Sequence, residues 1–184
     1  MPPAVGRSKH EIMPIRSLSE SEFETIAVEH LDCAYNLARW LLRDPAAADD
    51  VVQDAMLRAL KYFSGFRGEN ARAWLLQIVR NVALTRLQGG KIHEVDEDAA
   101  LAVPIPDPNE PESLLMRADN ERLVHRLLGG LPVELRECLV LREIEELSYK
   151  EIARIVNAPI GTVMSRLWRG RKLLAEAAAA LEHT

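Results

Sequence analysis

The chain has 184 residues, 48% of them hydrophobic, 28% charged and 5% aromatic, with a formal net charge of −5. That length gives one large or two small domains with a real core, and few aromatics beside abundant Ala, Leu, Glu and Arg favour helix over sheet. An acidic balance excludes a protein that coats nucleic acid indiscriminately, so any DNA binding must come from local basic surfaces. No apolar run approaches the length of a membrane span, and the polar, proline-broken N-terminus is unlike a signal peptide, so a cytoplasmic location without membrane insertion is expected. Cys33 and Cys138 are too few and too far apart for a disulfide framework and read as small buried residues. His30 and Cys33 share a helical face, but two ligands make no metal site, and no cofactor motif is present.

Residues 1–17 lack periodicity and read as a loose arm. A long helix is expected from Ser21, where Glu24 completes a capping box. Phe23, Ile26, Ala27, Leu31, Ala34, Leu37, Ala38, Leu41 and Leu42 recur along it at helical spacing as a broad apolar face. Asp44-Pro45 is a cap followed by a first-turn proline, and it opens a second helix whose Ala48, Val51, Val52, Ala55, Leu57, Leu60 and Phe63 pack onto the first. The outer face of this helix carries Asp49, Asp50, Gln53, Asp54 and Arg58. Spacing alone leaves that face open between ordinary solvation, with the early acids complementing the helix dipole, and a docking surface.

The loop SGFRGENAR, with Phe66, Arg67 and Asn70, leads into a helix over 72–88. There Trp74, Leu75, Ile78, Val79, Val82 and Leu87 can pack, while Arg72, Gln77, Arg80 and Asn81 occupy other faces. Rings, amides and guanidinium groups together suit unpaired bases and their phosphates, although Phe66 and Trp74 fit a core equally well.

Residues 89–112 change character. Pro104, Pro106, Pro108 and Pro111 stand among acids opposed by Lys91, which describes a flexible acidic linker. The fold class expected is therefore all-α, with two small helical domains at 18–88 and 113–184 joined by this linker. In the second domain a helix over 114–128 ends at Gly129-Gly130, and Pro132 opens another with Leu135, Leu139, Leu141 and Ile144 as core candidates.

The plainest motif follows. Ser148 with Glu151 forms a capping box flanked by Leu147 and Ile152, and the helix it starts stops at Asn157-Ala158-Pro159. In the next helix Val163, Leu167, Gly170 and Leu174 make an apolar seam with one small residue for close approach. Another face carries Thr162, Ser165, Arg166 and Arg169, and Arg171 extends a stretch without acids. A capped helix, tight turn and second helix form a helix-turn-helix. Its hydroxyls and guanidinium forks have the chemistry to read base edges in the major groove.

With these residues laid out, the chain resembles the extracytoplasmic-function group of bacterial RNA polymerase sigma factors over nearly its whole length. Ala48-Asp49-Asp50-Val51-Val52-Gln53-Asp54 is similar to the family's polymerase-docking segment. Arg72-Ala73-Trp74-Leu75 and Ile78-Val79-Arg80-Asn81 are similar to the segment that melts and reads the minus-10 element. Leu131-Pro132, Ser148-Tyr149 with Glu151-Ile152-Ala153, and Gly161-Thr162-Val163 with Ser165-Arg166-Leu167, Arg169 and Arg171 are similar to its minus-35 reading domain. The chain departs from the family's usual pattern at Thr85, Gln88 and Glu146, where Asp, a basic residue and Gly are common.

The resemblance implies a promoter-specificity subunit, not an enzyme, with core RNA polymerase, promoter DNA and an anti-sigma factor as partners. It assigns docking to Asp49, Asp50, Gln53, Asp54 and Arg58, and minus-10 contacts to Phe66, Arg67, Asn70, Arg72, Arg80 and Asn81. Minus-35 contacts fall to Thr162, Ser165, Arg166, Arg169 and Arg171. Two rivals are a sigma-like mimic that engages only an anti-sigma factor, and a stand-alone helix-turn-helix regulator. The first has no use for Arg166 and Arg169, and the second leaves the docking face and Arg80-Asn81 unexplained. An enzyme is the weakest rival, since the histidines are scattered and no nucleophile, metal or phosphate motif is present.

Overall fold

A computed structural model describes residues 20–68, 70–90 and 123–182, and every regular element among them is helical. The expected arm at 1–17, residues 91–112 of the expected linker and the first turns of the helix from Leu114 lie outside the described residues. The N-terminal half consists of α1 (Glu20–Glu29), α2 (Leu31–Leu42), α3 (Pro45–Tyr62) and α4 (Ala71–Gly90). The C-terminal half comprises α5 (residues 123–129), α6 (Val133–Leu139), α7 (Tyr149–Val156) and α8 (Ile160–Glu182).

The expected long first helix is kinked. His30, at φ −112 and ψ 10, separates α1 from α2, although backbone hydrogen bonds from His30 to Ile26 and from Ala34 to His30 carry the helical path through. The Cys33 thiol donates to the His30 carbonyl at 3.1 Å. Ser21 lies inside α1 instead of capping it. Asp44 does cap α3, its carboxylate accepting from the amides of Ala46 at 2.9 Å and Ala47 at 3.2 Å.

The buried stripe of α3 is Ala47, Ala48, Val51, Val52, Ala55 and Ala59. Leu57 and Leu60, expected in that stripe, are instead 69% and 44% exposed. Leu57 stands two residues past Ala55, about 200° around the helix, so burying the alanine stripe turns it outward. α4 extends to Gly90, so Gly89 and Gly90 belong to a helix and not to the linker.

In the C-terminal half, α6 continues into a π-helical turn over Val140–Ile144. The wider turn leaves Ile144, an expected core residue, 39% exposed and buries Glu145 at 5%. Glu146 follows with φ 54, the left-handed region where glycine is at ease. The capping box of α7 is complete: the Glu151 amide donates to Ser148 Oγ and the Ser148 amide to Glu151 Oε2. Asn157 ends α7 at φ 50.

Gly170 lets α8 approach α6 closely. A Cβ there would meet Leu139 Cδ1 at 2.7 Å and Leu135 Cβ at 3.7 Å. The two halves are packed together. One continuous apolar cluster runs from Cys33, Leu37 and Leu41 through Val51, Leu76 and Val79 to Leu139, Leu141, Ile155 and Leu167. A smaller cluster of Phe23, Ala59, Phe63 and Leu75 closes the far end of the N-terminal half. Each large side chain buried there contributes about 1.5–3 kcal/mol relative to exposure.

Candidate nucleic-acid interface

The seam of α8 is anchored by Val163 at 0% and Leu167 at 1% exposure. Helix geometry then puts Ser165, Trp168, Arg169 and Lys172 on the face opposite this seam. Ser165 and Arg169 are exposed and Thr162 is half-buried. Arg169 has no ion pair among the described residues. Arg166 and Arg171 lie on the flanks, where both are paired: Arg166 Nη1 with Glu137 Oε1 at 3.3 Å, and Arg171 Nη2 with Glu143 Oε1 at 2.6 Å.

Two outward groups escaped the sequence reading. Trp168 is 64% exposed and Met164 53%, and Lys172 Nζ lies 5.6 Å from the Trp168 ring centroid. Apolar groups on a reading helix can contact the thymine methyl in the major groove. Each stands one residue past a seam position, Val163 and Leu167, and so about 100° around the helix from it, which was the available signal.

The N-terminal candidates divide into enclosed and open groups. Phe66 is half-buried, with its ring 4.8 Å from that of Trp74 and 5.9 Å from that of Phe63. Its ring is thus seated on an aromatic shelf and not free in the loop. Arg67 and Asn81 are exposed. Asn70 has φ 45 and starts α4 by accepting the Ala73 amide at 2.9 Å on Oδ1.

The remaining groups reach into the C-terminal half. Arg80 Nε and Nη2 donate to the two oxygens of Glu137 at 2.6 and 3.0 Å. Arg72 Nη2 donates to Glu145 at 2.5 Å, and Asn70 Nδ2 donates to Glu151 at 2.7 Å. Asn36 adds a donor to Glu145 at 3.3 Å, and the Gln77 amide one to the Arg154 carbonyl at 3.2 Å. Four expected DNA contacts, Asn70, Arg72, Arg80 and Arg166, are therefore gathered on three carboxylates. Glu137 holds two of these arginines with its side chain 1% exposed.

The surroundings are correspondingly polarised. Hydrogen bonds from the Ser148 side chain and backbone hold the Glu151 carboxyl below its ordinary value, with Asn70 and Arg72 contributing. Burial pushes the Cys138 thiol up to about 11, with Glu137 adding to it, and burial likewise raises Cys33 against the pull of Arg72. Both cysteines are free thiols, buried as expected. Arg136 is only 7% exposed, its Nε and Nη1 have no hydrogen-bond acceptor among the described residues, and burial together with nearby Arg43 lowers its pKa.

On the other side of the N-terminal half, α3 presents Asp49, Asp50, Gln53 and Arg58 exposed and Asp54 half-buried. Asp50 pairs with Arg86 at 3.1 Å and Asp54 with Arg58 at 3.0 Å. The exposed Leu57 lies at the centre of this face, an apolar anchor within a polar rim that the sequence reading had assigned to the core. Among the described residues there is no group of three or more metal-ligating side chains, and no helix is long and apolar enough to cross a membrane.

This arrangement of two helical units, an α3 face and a helix-turn-helix coincides with family matches. Residues 26–91 match Sigma-70 region 2 and residues 121–174 match Sigma-70 region 4. The chain belongs to the extracytoplasmic-function group of RNA polymerase sigma factors. It is 33% identical over 164 residues to the RNA polymerase sigma-H factor of Pseudomonas aeruginosa, covering 84% of this chain and 85% of that one. It is 37% identical over 134 residues to the ECF RNA polymerase sigma-E factor of Escherichia coli, covering 68% and 70%.

Among solved structures, it superposes on the sigma factor RpoE of Bartonella quintana, determined in complex with the anti-sigma factor NepR. The TM-score is 0.68 at 26% identity, covering 85% of this chain and 96% of that one. CnrH, solved with the cytosolic domain of CnrY, shares the fold at TM-score 0.66 and 22% identity, over 90% and 93% of the chains. As a sigma factor the chain binds core RNA polymerase and directs transcription initiation at promoters.

Proposed function

We propose that the two halves divide promoter recognition between them. The outward face of α8 enters the major groove of the minus-35 element, with Arg169 and Ser165 as base-edge readers. Trp168 and Met164 contact thymine methyls, and Thr162, Arg166, Arg171 and Lys172 serve the flanking phosphates. In the N-terminal half, Arg67, Asn70, Arg72, Arg80 and Asn81 hold the unpaired strand at minus-10, with the Phe66–Trp74 shelf available for stacking. Holding the strand open makes melting favourable, so no chemical step is needed and the protein acts as a cytoplasmic specificity subunit, not as an enzyme. Asp49, Asp50, Gln53, Asp54 and Arg58, around Leu57, form the polymerase-docking face. Residues 18–90 and 113–184 act as the two working domains, and 91–112 as their tether.

The observation that carries this reading is Arg169, without an ion pair among the described residues, beside Ser165 on the outward face of an acid-free stretch, residues 160–175. An anti-sigma partner is supported by the resemblance to sigma factors solved with one. The mimic reading is disfavoured, because it gives Arg169 no role.

Run-off transcription on fragmented genomic DNA tests the proposal. Core polymerase with this protein should yield discrete new transcripts, and Arg169→Ala should lower them roughly 5- to 100-fold, the kinetic equivalent of one good base contact. No transcripts above core alone would remove the promoter assignment. Charge reversal of Asp50 and Asp54 to Lys should abolish co-purification with core while circular dichroism stays unchanged; retained binding would return that face to ordinary solvation.

A further inference from the structure

The flank of α8 holds an acid where a DNA-binding surface has least use for one. Residues 160–175 contain no Asp or Glu, yet packing brings Glu143 from the π-helical turn onto Arg171, with the two side chains 52% and 49% exposed. Glu137, which meets Arg166, is buried in the core, whereas Glu143 stands in solvent that DNA would displace. A half-exposed ion pair contributes little to stability, and a carboxylate there repels every phosphate that approaches. Stability does not account for its presence.

The geometry gives the acid another use. Glu143 Oε1 accepts from Arg171 Nε at 3.1 Å and from Nη2 at 2.6 Å, which fills one edge of the guanidinium and fixes its plane while N–H groups on the other edge remain for a further acceptor. Hydrogen bonding to Glu143 raises the Arg171 pKa, and the Tyr149 side chain adds to it. Tyr149 is held in turn. The Arg142 guanidinium lies 5.1 Å from its ring centroid, and Arg142 Nη1 donates to the Leu147 carbonyl at 2.8 Å. Arg171 of α8 is thereby gripped by the segment 142–149 that leads into α7, so its position is tied to both helices of the helix-turn-helix. The π-helical turn supplies the reach, leaving Glu143 exposed while Glu145 is buried.

An unrestrained arginine samples many rotamers and neutralises whichever phosphate is nearest, whereas a fixed one fits a phosphate in one place. Phosphate contacts set the register in which a protein docks on the duplex. We propose that Glu143 is a positioning residue for minus-35 recognition: it holds the Arg171 guanidinium where it meets the backbone phosphate in register with the bases read by Arg169, and its charge opposes docking in other registers. This rests on the phosphate contact assigned above to Arg171. The acid lowers affinity for DNA in general and raises discrimination.

The test uses holoenzymes assembled from core polymerase and the wild-type chain, Glu143→Gln, Arg171→Ala or Glu143→Gln/Arg171→Ala. Each is titrated by fluorescence anisotropy with a labelled promoter duplex, chosen from the transcribed genomic fragments, and with the same duplex scrambled over its minus-35 segment. Glu143→Gln should bind the scrambled duplex more tightly than wild type does and yet lower the promoter-to-scrambled ratio by roughly 2- to 12-fold, the equivalent of ordering one long side chain on binding. Arg171→Ala should lower the ratio as well, and adding Glu143→Gln to it should change nothing further.

An unchanged ratio in Glu143→Gln, with both duplexes bound tighter alike, would make the acid an ordinary surface charge and overturns the proposal. An equal further loss in the double variant overturns it too, since the acid then acts through another group. Thermal melting of the free proteins guards against a structural cause: Glu143→Gln should melt within about 2 °C of wild type, and a fall beyond about 5 °C with both duplexes weakened together overturns the positioning role. Failure of the wild-type holoenzyme to distinguish the duplexes removes the minus-35 reading itself. Wild-type discrimination that Arg171→Ala retains in full removes the Glu143–Arg171 assignment alone.

Discussion

The groups of the N-terminal half proposed to hold the strand and the outward face of α8 have the same chemistry in opposite settings. Arg80 keeps only 13% of its side-chain surface exposed, with both oxygens of a buried carboxylate on its guanidinium, whereas Arg169 is exposed and has no ion pair among the described residues. A basic residue on a helix face is thus not one kind of object. Its availability to DNA is set by what the other half of the chain places opposite it. The proposed docking face of α3 is intermediate, because its ion pairs are exposed and solvent-screened, so they contribute little to stability and are easily exchanged for a partner.

The largest expected effect strikes the enclosed side of this comparison. Glu137→Ala strands two arginines in a buried site, and urea unfolding should register a loss of about 3–5 kcal/mol if the halves stay together. If they separate, solvent takes over the arginines and two unfolding steps replace one. A change under about 0.5 kcal/mol with a single transition would show that Glu137 is no keystone.

Next comes the seam that holds α8 in position. Gly170→Val would drive methyls into Leu139 and Leu135, and thermal denaturation should report about 1–3 kcal/mol of overpacking. Unchanged stability would mean that α8 does not sit so close to α6. On the open side, Arg169→Ala should leave the melting temperature within about 0.5 kcal/mol of wild type while promoter binding falls by about 1–3 kcal/mol. Equal losses of stability and binding would erase the distinction between enclosed and open arginines.

A pH titration sharpens the boundary between the halves. The Glu151 carboxyl is held below its ordinary value of 4.5, so its contribution is complete above that value and fades as pH falls through the lower folded value. Glu151→Gln should flatten the acid limb of the stability curve, measured by circular dichroism; an unchanged limb would assign it to other carboxylates. The smallest effect belongs to Glu146, whose φ of 54 strains a side chain but not a glycine. Glu146→Gly should raise stability by a few tenths to about 1 kcal/mol, and a loss would mean that the side chain is used.

Local signals were legible wherever the controlling contacts lie within a few residues. Asp44 before Pro45, the Ser148–Glu151 box, Asn157 and the Gly170 seam were all readable, because capping and helical spacing act over one or two turns. The same local logic failed where neighbours in space override spacing. Leu57 and Leu60 fit an apolar pattern as well as Ala59 does, but the close helix packing selected the alanine stripe. Ile144 was misplaced because a π-helical turn breaks the 3.6-residue period, and the kink at His30 has no sequence mark comparable to a proline.

By itself, then, the chain's sequence determined an all-helical protein with a helix-turn-helix and the sigma-factor motifs, since caps, turns and periodic apolar faces are properties of short segments. Tertiary structure decided which basic groups are available. Arg80 and Glu137 are separated by 57 positions, and no rule of spacing pairs them. Only the packing of α4 against the C-terminal half brings guanidinium and carboxylate within hydrogen-bonding distance, where burial makes the pairing count.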